Sequence, residues 1–273
     1  MSKQIEIGIV GCGAIGSSLA EALIRKFNRE ANLSGVFDIK IERAFELADR
    51  LNNKKLVVLT LEDLILRSQL IIEATTSSAS YDIAFKSISY GKNVMIMSVG
   101  GILERFFELR ELAEEKNAKI IIPSGAICGI DALKALSSVN IEKVVLTTRK
   151  SPSAFKGNLY LIEKNMDLDG IKEDTLLFRG NVFDAVKNFP QNINICALIS
   201  IAIGNTDKIE VNIIASPKLD SNLHELQVYS GVAKIFVQCE NIVHPSNPKT
   251  SYLAVLSAET ALREFLECVK IGT

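Results

Sequence analysis

Among the 273 residues only two side chains, His224 and His244, change charge near neutral pH at their ordinary pKa. A reaction that moves a proton in that range has few other candidates for its acid or base. His224 stands in Asp220-Ser221-Asn222-Leu223-His224-Glu225, among polar residues that follow an apolar run. His244 precedes Pro245 in a turn-rich stretch. His224 is therefore the better candidate, and its alternative is a hydrogen-bonded histidine with a purely structural role.

The second constellation is Gly11-Cys12-Gly13-Ala14-Ile15-Gly16, a GxGxxG sequence between a strand-like run and a helix-like run. In such a loop the first glycine makes a tight turn and the second lets the backbone approach a pyrophosphate. The third lets the helix pack closely on the strand. The exposed N–H groups at the helix start then attract the phosphates, with Ala14 and Ile15 contributing theirs beside Gly13. Asp38 follows 22 residues after Gly16, at the end of the next strand-like run, where a carboxylate accepts hydrogen bonds from ribose hydroxyls. An acid there favours NAD, whereas Lys40 and Arg43 offer partners to the 2′-phosphate of NADP. The cofactor is thus NAD or NADP.

Other polar residues have simpler readings. Asn192, in Phe189-Pro190-Gln191-Asn192-Ile193, suits the cap of a following helix as well as a functional contact. Gly125 and Gly129 suit a turn between domains. The cysteines at 12, 128, 196, 239 and 268 are odd in number, widely spaced and without a CxxC pair. That pattern suits neither a disulfide framework nor a zinc site, so no metal is expected and buried thiols are the simplest reading. An anionic ligand needs fixed donors. Thr148, Arg149 and Lys150 are possible sources, with solvated surface residues as the plain alternative.

The first half of the chain alternates short apolar runs with amphipathic segments, as βαβ units require. Strands are expected at 5–10, 33–37, 56–59, 70–74, 94–99 and 119–122, each apolar enough to be buried on both faces. Helices are expected at 17–27, 43–51, 79–89 and 104–116, the last with Leu103, Phe106, Phe107 and Leu109 as a core-facing stripe. After Pro123 the rhythm changes. A helix at 131–138, a strand at 144–148 and an apolar helix at 193–203 are followed by strands at 209–215 and 233–238, with 224–229 between them. The last two strands are expected to pair as antiparallel neighbours. A helix at 251–269 closes the chain. The expected fold is α/β: an N-terminal Rossmann-type, doubly wound parallel sheet over 1–125, a smaller α+β catalytic and dimerisation domain over 126–246, and a tail over 247–273 that packs back on the first domain.

Composition sets the remaining bounds. A formal net charge of −1 supplies no general attraction to nucleic acid or to an anionic membrane. The longest lipid-like stretch, 195–203, is broken by Ser200 and is far short of the roughly 20 residues of a spanning helix. The N-terminal run contains a charge and glycines where a signal peptide has its apolar segment. A cytoplasmic enzyme with a small-molecule substrate is expected, binding neither nucleic acid nor membrane.

The chain resembles the L-aspartate dehydrogenase family along nearly its whole length. The resemblance is carried, in order, by the Gly11–Gly16 loop, Ser124-Gly-Ala-Ile-Cys-Gly-Ile-Asp131, Leu146-Thr-Thr-Arg-Lys150, Phe189-Pro-Gln-Asn-Ile-Asn194, Asn222-Leu-His-Glu225 and Asn247-Pro-Lys-Thr-Ser251. It implies oxidation of L-aspartate by NAD or NADP to iminoaspartate. That product is hydrolysed to oxaloacetate and ammonia or diverted toward quinolinate and NAD biosynthesis. It also implies that His224 is the catalytic histidine, that Ala126 and Asn192 contact the nicotinamide cofactor, and that the enzyme is a homodimer. Cys128 departs from the small aliphatic residue usual at its place, and 153–174 is richer in Lys, Asn and Asp than the family pattern. The alternatives are a homoserine dehydrogenase, a dihydrodipicolinate reductase and a non-catalytic dinucleotide sensor. The reductase's paired-histidine, lysine-rich motif is not evident, and a sensor leaves His224 without a role.

Overall fold

A computed structural model describes residues 4–189, 194–244 and 247–272. The chain divides into two units, Met1–Pro123 with Val255–Lys270, and Ser124–Ala254 with Ile271–Thr273.

The first unit runs β1 (Ile5–Val10), α1 (Ala14–Arg25), β2 (Ala31–Phe37), α2 (Ile41–Arg50), α3 (Leu61–Arg67), β3 (Leu70–Glu73), α4 (Ser77–Ser89), β4 (Asn93–Ile96), α5 (Phe106–Lys116) and β5 (Ile120–Ile121). Its strands form a parallel sheet in the order β2-β1-β3-β4-β5. The chain moves outward from β1 to β2 and then returns to β3 on the other side. That reversal opens a crevice beyond the carboxyl ends of β1 and β3, the place where open α/β sheets bind ligands. Helices on both faces explain why β3 is apolar almost throughout, with Leu70, Ile71 and Ile72 all at 0% exposure. Ala258 and Leu262 of the chain's last helix join Leu19, Leu23 and Ile9 in this unit's main core cluster.

Differences from the sequence reading have local causes. Residues 56–59 are not a strand: Lys54–Leu56 is a 3-10 turn and Val57 makes a single bridge to Val36. The run is too short for a ladder, and Leu59 points outward. The helix Leu61–Arg67 follows at once, started by Thr60, whose hydroxyl accepts from the Asp63 N–H at 3.1 Å. In α5 the expected stripe splits, since Leu109 is buried while Phe107 is exposed. Adjacent phenylalanines lie about 100° apart around a helix and cannot share its inner face.

The second unit contains α6 (Ile130–Leu136), β6 (Ile141–Lys150), α7 (Leu159–Glu163), β7 (Thr175–Gly180), α8 (Val182–Asn188), α9 (Asn194–Ile203), β8 (Ile209–Ala215), β9 (Asn222–Ser230), β10 (Lys234–Asn241), β11 (Val243–His244) and β12 (Asn247–Ser251). The helix α10 (Tyr252–Leu266) then leads back to the first unit. The main sheet has the order β10-β9-β6-β8-β7, with β6 and β8 parallel and the other pairs antiparallel. Thus β8 and β10 are not neighbours, contrary to the sequence expectation; β9 and β6 lie between them. The intervening segment 224–229 was itself a strand, and hairpin pairing with β10 takes it first. Every second residue of β9 is buried, from Asn222 through His224, Leu226 and Val228 to Ser230, so one sheet face is covered and the other is not. Helix α8 packs on β7 and β8, and α9 packs on α6 and α8. Strand β7 and helices α7 and α8 fall where the polar composition hid any periodicity.

Candidate active site

The glycine loop joins β1 to α1 at the sheet's switch point. Gly11 has φ +97°, and a Cβ there would lie 2.4 Å from the Ala74 carbonyl oxygen. Its N–H donates to the Phe37 carbonyl at 2.8 Å, binding the loop to the end of β2. A Cβ on Gly16 would sit 1.9 Å from the Gly11 oxygen, so helix and turn touch backbone to backbone. A Cβ on Gly13 would meet no heavy atom within 4 Å. This is the pattern a phosphate loop requires: two glycines for packing, and between them one whose open side admits a ligand. Gly13 is also the N-cap of α1, with no side-chain cap, and the first turn through Ala14 and Ile15 carries no acid. Its N–H groups and positive dipole end remain available to an anion.

Asp38 lies just past β2 and is buried. Its Oδ2 accepts from the Cys12 N–H at 2.8 Å and its Oδ1 accepts from the Lys40 N–H at 2.9 Å. Two backbone donors fix the carboxylate beside the loop while leaving lone pairs for ribose hydroxyls. Lys40 and Arg43 are exposed. Sequence reasoning passed over Glu73, which closes the apolar strand β3 at 0% exposure. Its carboxylate accepts from the Thr75 N–H and hydroxyl at 2.7 and 2.6 Å and from the Ser98 N–H at 3.0 Å. It thereby ties together the loops after β3 and β4 on the rim of the same crevice. An acid ending an otherwise apolar strand was its visible signal.

In the second unit His224 lies within β9, where the sequence reading put it after a strand. Its Cα partners are Thr148 of β6 on one side and Cys239 of β10 on the other. The ring is 4% exposed, and Nδ1 lies 3.0 Å from the Thr148 hydroxyl. Burial, with a lesser contribution from the positive charge of Lys150, pulls the His224 pKa from 6.5 down to about 3. The imidazole is neutral at pH 7. Between about pH 3 and 6.5 the unfolded chain holds a proton on this residue that the folded chain lacks, so stability from this group rises with pH through that window. When Nδ1–H donates to Thr148, the Nε2 lone pair is free to act as a base.

Ala126 is buried, and its carbonyl accepts from Asn241 Nδ2 at 2.9 Å. Asn241 pairs with Asn222, two residues before His224 on the same face of β9. The loop 124–129 is therefore pinned to the end of the sheet that carries the histidine. Asn192 lies outside the described residues. Cys128 and Cys268 are exposed, so only Cys12, Cys196 and Cys239 fit the expectation of buried thiols. The departure at Cys128 is accommodated because its loop meets solvent. His244 stacks edge-on with Tyr252, with ring centroids 5.4 Å apart. No described helix is long and apolar enough to cross a membrane.

A parallel sheet with a glycine loop and a held carboxylate at its switch point, followed by a second unit with a buried neutral histidine, defines a nicotinamide-dinucleotide-dependent dehydrogenase. Comparison with known proteins agrees. The family described as "Homoserine dehydrogenase, NAD binding domain" matches residues 11–123, and "Aspartate dehydrogenase, C-terminal" matches 131–265. The L-aspartate dehydrogenase of Methanococcoides burtonii is 39% identical over 99% of this chain and 100% of its own length. The crystal structure of aspartate dehydrogenase from Thermotoga maritima superposes with a TM-score of 0.73 at 24% identity, covering 99% of this chain and 100% of that one. A hyperthermophilic archaeal homoserine dehydrogenase in complex with NADPH gives 0.61 at 12% identity, covering 96% and 97%. The chain belongs to the L-aspartate dehydrogenase family.

Proposed function

We propose that this protein oxidises L-aspartate to iminoaspartate at its CH–NH2 group, with NAD as the preferred acceptor, as a cytoplasmic homodimer. The observation that carries the reaction is His224: a buried, neutral imidazole oriented by Thr148, on the unit that matches the aspartate dehydrogenase family. Hydride can leave Cα only as the nitrogen lone pair forms the C=N bond, so the α-ammonium first loses a proton. Nε2 of His224 takes that proton, and Thr148 holds the ring in the tautomer that can accept it. The bound nicotinamide supplies the acceptor for the Cα hydride. The positions of Gly11, Gly13, Ala14, Ile15, Gly16 and Asp38 suit them to hold the dinucleotide, and the resemblance adds Ala126 and Asn192. Water attack on the imine, with His224 again as proton carrier, releases oxaloacetate and ammonia; uptake of the imine toward quinolinate is the other outlet. The uncovered sheet face, with Leu223 and the edge-stacked pair Tyr229 and Phe236, supports self-association.

The test of the reaction is absorbance at 340 nm with L-aspartate and each cofactor in turn, with L-glutamate, L-alanine and L-homoserine as controls. Turnover confined to aspartate is expected. Turnover with homoserine and none with aspartate would overturn the assignment.

NAD preference rests on the two backbone bonds that lock Asp38 where a 2′-phosphate would otherwise sit. Asp38→Ser is expected to lower kcat/KM with NAD and raise it with NADP, since Lys40 and Arg43 then face the phosphate without a competing carboxylate. About tenfold in the ratio, 1.4 kcal/mol, is the scale of a single charge interaction near a surface. An unchanged ratio would remove Asp38 from the choice of cofactor.

A further inference from the structure

Lys150 ends β6 two residues beyond Thr148, so both side chains leave the same sheet face. That face is covered. Leu146, Thr148, Ile213, Ala215 and His224 on it are all at most 4% exposed. Among the described residues the Lys150 ammonium has neither an ion-pair partner nor a hydrogen bond, whereas Arg149 next to it, on the opposite face, pairs with Glu225 and Asp174. Directly beside Lys150, Ser216 donates its N–H to the Lys150 carbonyl at 2.8 Å. The Ser216 residue is 1% exposed, and its hydroxyl has no partner among the described residues. Lys150 itself is half-buried, and an ammonium drawn this far into a covered face without a counter-ion loses hydration that no partner replaces. Its persistence here, two residues along β6 from the histidine's partner Thr148, is explained by an anion that arrives with the substrate.

We propose that Lys150 anchors a carboxylate of the dicarboxylic substrate, with the Ser216 hydroxyl at the same strand end as a second donor. The assignment rests on the aspartate reading for the identity of that substrate. Burial alone lowers the Lys150 pKa from 10.5 to about 8, so the free enzyme loses this charge at mildly alkaline pH. His224 is the titratable group that senses Lys150; Arg149, Glu225 and Asp174 lie on the other sheet face. A bound carboxylate offsets the positive charge that His224 feels, and so strengthens the base at the moment substrate is present.

The experiment compares wild type, Lys150→Met and Lys150→Arg in the presence of dinucleotide. Lys150→Met is expected to raise KM for L-aspartate by about 10- to 100-fold, the scale of a hydrogen bond to a charged group. Its melting temperature without ligand and its dinucleotide affinity should stay near those of wild type. In wild type, kcat/KM should fall above about pH 8, following the Lys150 ammonium; Lys150→Arg, charged throughout, should shift that limb upward. The binding of L-2-aminobutyrate, which lacks the side-chain carboxylate and is measured as a competitive inhibitor of aspartate turnover, tells the two carboxylates apart. If the anchor holds the side-chain group, only aspartate suffers from Lys150→Met; if it holds the α-carboxylate, both amino acids suffer alike. Succinate separates this proposal from the catalytic one, since it should raise the melting temperature of wild type and not of Lys150→Met whether or not aspartate turns over. Aspartate turnover with unchanged KM in Lys150→Met, or equal succinate stabilisation of both proteins, would overturn the anchor and leave the proposed reaction standing.

Discussion

His224→Ala is expected to lose aspartate turnover by about 10²- to 10⁴-fold, the usual share of a positioned general base. Dinucleotide affinity should be unchanged, because Gly13 and Asp38 belong to the first unit and the histidine to the second. The ring is buried between β6 and β10, so its removal also leaves a void. His224→Asn, which keeps a polar side chain for Thr148, serves as the control. Loss of turnover in both variants with cofactor binding intact assigns the proton to the imidazole. Loss in the alanine variant alone would make His224 a packing residue. The neutral state has a further consequence. Its pKa of about 3 means that kcat/KM, which reports the free enzyme, should show no acid limb from His224 at pH 5–7. A limb near pH 6.5 that His224→Ala abolishes would show that burial does not depress this group.

The fold was legible where periodicity and glycine chemistry agree. The run at 5–10, the loop Gly11–Gly16 and the acid at 38 are local signals, and their mutual placement follows from the right-handed βαβ crossover. The sheet of the second unit was harder. Partners such as Thr148 and His224 are 76 residues apart, and nothing local selects β6 rather than β8 as the neighbour of β9. The segment 153–174 showed only lysine, asparagine and aspartate, yet Asn158 starts a helix there, its Oδ1 accepting from the Leu161 N–H at 3.0 Å. Within the candidate site His224 stood out by rarity. Its hydrogen-bond partner did not, because Thr is common on strands. Residue type offers Lys150 only as one of three carboxylate donors beside Thr148 and Arg149; its half-burial and its lack of a counter-ion among the described residues, which single it out and bring in Ser216, are not written in residue type or spacing.

Gly16→Ala sets two effects of opposite sign against each other, and their sizes decide the outcome. Gly16 lies in the first turns of α1, where alanine gains about 1 kcal/mol in helix propensity. The added Cβ, however, would lie 1.9 Å from the Gly11 carbonyl oxygen and 3.3 Å from Ile9 Cγ2. The first of these is backbone, held in place by the Gly11 N–H bond to Phe37, and it cannot rotate aside. The helix must therefore move off β1, and Leu19, Ala20 and Leu23, all nearly fully buried, move with it. Overpacking of this kind costs about 3 kcal/mol or more when backbone must shift, a large part of a stability of about 5–15 kcal/mol. A lower urea midpoint and lost dinucleotide binding are expected together. Gly13→Ala is the counterpart: its Cβ meets nothing within 4 Å, so stability should fall by no more than about 1 kcal/mol, the cost of alanine at an N-cap, while dinucleotide affinity falls. The two variants thus separate the glycine that holds helix to strand from the one that lets a phosphate approach. Should Gly16→Ala melt and bind like wild type, helix and turn would not be in backbone contact, and the loop's fit to a pyrophosphate would lose its structural basis.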